Sequence, residues 1–265
     1  MSVVLLNEAI VHYEVLGRGR PVIFLHGWVG SWRYWISSMQ VASTSFRAYA
    51  LDLWGFGATA QYKQHPDFYQ LSNQTELLRI FLDEMGIGKV ALVGHGLGAL
   101  VALGYTASYP DAVDRTMLIN CPLDTKAIST RLFNDSIETL VSSFSNSLPN
   151  GETALADAKK ADPAAIAASQ NGIVAEDVFN KVNRQHTPCL LVSSAEDELV
   201  SLPSMEQLTL LSDLGHHIIL DGAGHFPMLD SAAKFNRLLT DFLALDSGLS
   251  IKELSLKDEW RRRVR

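Results

Sequence analysis

The chain has 265 residues, 47% hydrophobic and 19% charged. That supplies enough apolar surface to offset chain entropy and too little charge for disorder. A net charge of -7 gives no basic footprint for nucleic acid or an anionic membrane, so a small molecule is the expected partner.

The N-terminus lacks a basic leader, and no segment holds about 18 uninterrupted apolar residues, so no membrane span is expected and the cytoplasm is the expected compartment. In chain order, residues 3–6 and 10–16 flank Asn7-Glu8 like a hairpin. Residues 22–25 form a short run that is apolar throughout, as in a strand covered on both faces. A helix is expected over 31–39, a strand over 47–51, and a glycine-punctuated loop from Leu53 to Gly57. Leu77, Leu78, Phe81, Leu82 and Met85 recur at helical spacing within 71–85, closed by Gly86. A strand over 89–93, an apolar helix over 97–108 stopped by Pro110, and a strand over 115–120 follow. Strand and helix alternate, which predicts an α/β fold with a mostly parallel sheet.

Residues 122–187 contain no strand-like run. Ile137, Leu140, Val141 and Phe144 make one helical stripe, Val174, Val178, Phe179 and Val182 a second, and the Ala-rich stretch 153–168 has room for a short helix between them. An insertion this long between two strands reads as a helical lid over the core. The alternation resumes with strand 189–193, helix 205–211, strand 216–220 and helix 233–243. The core is therefore assigned to 1–121 and 188–245, the lid to 122–187, and a polar tail with a basic, solvated end to 246–265. Cys121 and Cys189, the two cysteines, sit at the ends of apolar strand runs and do not form a disulfide scaffold.

Four short motifs fall at strand ends. They are His26-Gly27-Trp28, Gly94-His95-Gly96-Leu97-Gly98, Ala195-Glu196-Asp197, and Gly224-His225-Phe226-Pro227. In joint order and spacing they resemble the α/β-hydrolase family, in which nucleophile, acid and histidine follow one another along the chain. The resemblance covers the chain apart from its last 20 or so residues. It implies an eight-stranded, mostly parallel sheet flanked by helices, with the lid between strands six and seven. It also implies a nucleophile position at residue 96, an acid at Asp197 and a base at His225, with oxyanion-hole N–H groups from Trp28 and Leu97. Glu196 and Glu198 compete with Asp197 on the same loop. His95 and His26 read as shaping residues, and Asp52 and Trp54 as a brace for the turn at residue 96.

Gly96 departs from the pattern. It has no hydroxyl to attack a carbonyl, which closes the acyl-enzyme route, and glycine also relieves the positive-φ strain of such a turn. Three readings stay open. One is a non-hydrolysing relative that binds a ligand. Another is a general-base enzyme in which Asp197 and His225 act on an acidic C–H, or on a water in the space left by the missing side chain. The third is an active esterase, amidase or C–C-bond hydrolase carrying a disabling Ser-to-Gly exchange. Trp28, Phe144, Phe179 and Cys121 are candidate ligand contacts, and the aromatics favour an apolar or aromatic ligand. Cys121 as a displaced nucleophile is the less favoured reading, because nothing near it in sequence lowers its pKa. Neither a metal nor a cofactor is expected, since the histidines and carboxylates lack metal-ligand spacing.

Overall fold

Asn7 and Glu8 both adopt positive φ, 48° and 65°, and so reverse the chain. That turn pairs β1 (Ser2–Leu6) antiparallel with β2 (Ala9–Gly17), as the hairpin pattern predicts. The computed structural model describes residues 2–61, 66–175, 181, 187–209, 211, 214–246 and 249–256. Six further strands follow: β3 (Arg20–Leu25), β4 (Phe46–Leu51), β5 (Val90–His95), β6 (Val113–Ile119), β7 (Cys189–Ser194) and β8 (Gly215–Leu220). They join one eight-stranded sheet in the order β1-β2-β4-β3-β5-β6-β7-β8. Every pairing from β4 through β8 is parallel, and only β1 and β2 run against their neighbours. Val22 to Leu25, in the middle of this sheet, are fully buried, which explains why that strand shows no polar alternation.

Helices flank the sheet. Ser31 caps a 3-10 turn, Trp32–Trp35, by accepting from the Arg33 N–H, and α1 (Ile36–Ala42) continues from it where one helix over 31–39 is expected. The stripe in α2 (Leu71–Glu84) packs on α3 (Leu97–Ser108). Leu97 to Thr106 of α3 are all buried, the pattern of a helix enclosed on every side.

The stretch between β6 and β7 is helical: α4 (Arg131–Asn134), α5 (Ile137–Ser147), α6 (Gly151–Ala154) and α7 (Pro163–Ala175). Ile137, Leu140, Val141 and Phe144 face inward from α5, and Ser136 caps it by accepting from the Thr139 N–H. The Ala-rich stretch becomes α6, a 3-10 turn and α7. Of the second predicted stripe, Val178, Phe179 and Val182 lie outside the described residues. After β7 come α8 (Met205–Thr209), then β8, α9 (Pro227–Asp230) and α10 (Ala232–Ala244), which packs on α1.

Beyond residue 245 the chain still packs on the fold. Ile251 and Leu254 are buried, and His216 on β8 donates through Nε2 to the Leu254 carbonyl at 2.8 Å. Two apolar residues three apart in a polar context bury themselves without any period long enough to read. The basic end of the chain lies outside the described residues. Among the described residues, no helix is long and apolar enough to cross a membrane.

Candidate active site

The turn between β5 and α3 is built by three glycines. A side chain on Gly94 would run into the Gly98 carbonyl, and one on Gly98 into the Leu25 carbonyl, so strand, helix and neighbouring strand meet with no room for a Cβ. Gly96 sits at the apex with φ 51° and ψ -111°. Its N–H donates to the Ile119 carbonyl of β6 at 2.9 Å, fixing the apex to the sheet.

The space beside Gly96 is tight. A Cβ at residue 96 would stand 3.0 Å from Cζ3 and 3.1 Å from Cε3 of the Trp28 indole. The indole is fully buried, and its Nε1–H donates to the Ser169 hydroxyl of α7 at 2.8 Å. The ring that follows β3 thus lies against the apex of the turn. The structure does bring Trp28 and the Leu97 turn together. Leu97 is the first residue of α3, so its N–H has no acceptor within the helix.

Across the sheet, His225 Nδ1 lies 2.9 Å from each carboxylate oxygen of Asp197. Asp197 Oδ1 also accepts the Leu199 and Val200 N–H groups, at 2.7 and 3.0 Å. Burial alone would raise this carboxyl, but the charge and hydrogen bond of His225 and those two N–H groups outweigh it and hold it below its usual 3.8. Asp197 is thus the acid of this loop that meets His225, while Glu198 turns away to Arg131 Nη1 at 2.7 Å. A carboxylate only accepts, so His225 donates through Nδ1, leaving Nε2 turned away from Asp197. That nitrogen is buried and has no hydrogen-bond partner among the described residues.

Rings surround the imidazole. Phe226, Phe144 and His95 lie 4.9, 5.7 and 4.6 Å away between centroids. Phe144 comes from α5, so the insertion covers His225 as well as Trp28. His95 is fully buried, with Nδ1 at 2.9 Å from the Tyr34 hydroxyl, which itself accepts from the Gly27 N–H. Burial, then the neighbouring His225, holds His95 well below its ordinary value, so it stays neutral and packs. His26 shapes its loop as expected, accepting the Leu53 N–H on Nε2 at 3.0 Å.

Asn120 is the residue that sequence reasoning passed over. It follows β6 directly, in the left-handed region, φ 45°. Its amide nitrogen donates to the His225 carbonyl at 3.1 Å and to Ser194 Oγ at 3.2 Å, and its oxygen accepts the Ser194 N–H at 2.8 Å. It thus clamps the end of β7 to the histidine loop. An Asn tolerates positive φ at a strand end, the one signal that could have marked it.

Other expectations are placed differently. Asp52 accepts from His12 Nδ1 at 2.9 Å and from the Trp32 and Ala58 N–H groups at 2.8 and 2.9 Å, and the Trp54 backbone is held by Gln74. Both brace the loop after β4 and its junction with β2, not the turn at Gly96. Cys121 is buried, and burial, with Cys189 nearby, pushes its thiol far up, so it offers no thiolate. Phe179 lies outside the described residues. Among the described residues no three His, Cys, Asp or Glu side chains gather as a metal site. A cavity of about 390 Å³ opens within the insertion, lined in part by Phe133, Ile137, Pro163 and Ile166.

The sequence profile described as "Alpha/beta hydrolase family" matches residues 22–238. Over 113 residues the chain is 31% identical to Epoxide hydrolase 4 of Mus musculus, a match spanning 42% of this chain and 31% of that protein. The chain thus covers about a third of that relative's length. RutD of Yersinia enterocolitica is 24% identical over 270 residues, 93% of this chain and 96% of that protein. A hydrolase from Pseudomonas aeruginosa superposes with a TM-score of 0.79 at 17% identity, covering 92% of this chain and 98% of that one.

Proposed function

The chain belongs to the Alpha/beta hydrolase family, and from that premise we propose that it is a member with an acid–base pair but no nucleophile. In this reading it binds a small apolar or aromatic molecule without hydrolysing it through an acyl-enzyme. Gly96 stands at the nucleophile position, Asp197 and His225 form the pair, and the Trp28 and Leu97 N–H groups face the oxygen of a bound carbonyl. The helices between β6 and β7 act as the lid, and Phe144, Trp28 and Cys121 meet the ligand. Phe179 belongs to the same set on sequence grounds.

One observation carries this. The apex of the turn is a glycine against which the Trp28 ring is packed, while the buried His225 Nε2 has no hydroxyl to deprotonate. A triad member without its serine retains binding and orientation but loses the covalent step. The expected result on a panel of p-nitrophenyl esters, a lactone and an anilide is turnover no faster than that of the His225→Ala variant.

The His225 Nε2, without a hydrogen-bond partner among the described residues, favours a second reading, a general base that acts on the substrate directly. The same panel separates the two. Turnover that vanishes in His225→Ala contradicts the first and supports the second, at a rate gain of about 10² to 10⁴ over the blank.

A further inference from the structure

Gly96 explains why a hydroxyl is missing, but not why a large ring stands so close against the apex of the turn. The Trp28 indole presents the edge of its six-membered ring to the apex of the turn, within 3.1 Å of where any side chain would begin. At that separation a β-carbon forces its neighbour to give way. The ring is poorly able to do so. It is fully buried, and its N–H is spent on Ser169, a residue 141 positions away on the inserted α7. A buried indole N–H keeps its partner or bears the cost of losing it. Ser169 is fixed in turn, since its own hydroxyl donates to the Ile166 carbonyl at 2.6 Å.

We propose that Trp28 is the second determinant of this site's chemistry: its side chain, latched to Ser169, crowds the nucleophile's place, so that a serine at residue 96 is silent until the ring is removed. The inference rests on reading residue 96 as the nucleophile position and adds to it the residue that keeps the position closed. It gives Trp28 two separable parts, a backbone N–H facing a ligand oxygen and a side chain that excludes a nucleophile. It also makes the insertion a determinant of the chemistry, because the partner that holds the ring comes from α7. The ring blocks; it takes no part in bond making.

The test is hydrolysis of p-nitrophenyl acetate by Gly96→Ser, by Gly96→Ser/Trp28→Ala, by Gly96→Ser/Ser169→Ala, and by each of these with His225→Ala added as its blank. The expected result is that Gly96→Ser stays within about threefold of its blank while Gly96→Ser/Trp28→Ala exceeds its own by about 100-fold or more. Gly96→Ser/Ser169→Ala is expected to fall between them, since it loosens the ring without removing it. Circular dichroism establishes that each variant is folded. If Trp28→Ala is not, Trp28→Leu carries the same comparison, as it fills the core without a ring edge. Gly96→Ser alone matching the double variant overturns the role of Trp28 and leaves the Asp197–His225 reading standing. A folded double variant with no His225-dependent hydrolysis overturns both.

Discussion

On the β7–β8 side of the site, His225, Asp197 and Asn120 are joined by hydrogen bonds of 2.9 to 3.1 Å. On the β3–β5 side, Gly96 meets the Trp28 ring by packing, and His95 packs on the Tyr34 and Phe226 rings. The first wall is specified by direction, because its side chains are joined by hydrogen bonds. The second is specified by shape, so its chemistry changes when one side chain grows or shrinks. In the proposed reading, a site built this way keeps its acid–base geometry whatever stands at residue 96. The two walls should therefore fail differently when altered.

The largest effect is expected on the packed wall. Trp28→Ala removes a fully buried ring and should cost about 3–5 kcal/mol, read from urea denaturation. Next comes the bonded wall. Asn120→Ala strands the buried Ser194 N–H, which the Asn120 oxygen accepts at 2.8 Å, and should cost about 2–3 kcal/mol. Asn120→Ala should also weaken the hold on the histidine loop, so faster amide exchange around His225 is expected there and not in Trp28→Ala. Equal exchange in both variants would erase the distinction between the walls.

A smaller effect is expected from pH. Burial lowers His26 and His95, and burial with His216 nearby brings His217 to about 4. These groups stay neutral in the fold but bind protons in the unfolded chain below the ordinary 6.5, so stability falls as pH drops through that value. His12 runs the other way. Burial pulls it down, but Asp52 and Glu14 outweigh that and raise it, so its contribution is present below 6.5 and fades as pH climbs through the raised value. With three groups against one, the melting temperature should drop from about pH 8 to about pH 5. His95→Phe, on the packed wall, should flatten that slope. Asp197 stays ionised through this range, because its carboxyl is held below its usual 3.8.

What could be read from the sequence was what local chemistry dictates. The eight strands showed as apolar runs between turn residues, and the turn around Gly96 showed because only glycine fits where strand and helix touch. The family pattern favoured Asp197 over Glu196 and Glu198, but the N–H groups of Leu199 and Val200 that fold back onto it could not be read from the sequence. The Trp28–Ser169 bond joins residues 141 apart, and no pattern in either segment announces the other. Asn120's partners were hidden for the same reason, since Ser194 on β7 and His225 after β8 come much later in the chain. Ile251 and Leu254 were missed because two apolar side chains do not make a period.

The central claim is that the site has a base and no nucleophile, and intact-protein mass spectrometry after exposure to an activated ester or a fluorophosphonate tests it most directly. The account predicts an unchanged mass for the parent chain and a single adduct on residue 96 for Gly96→Ser/Trp28→Ala. A stoichiometric adduct on the parent chain that requires His225 would contradict it.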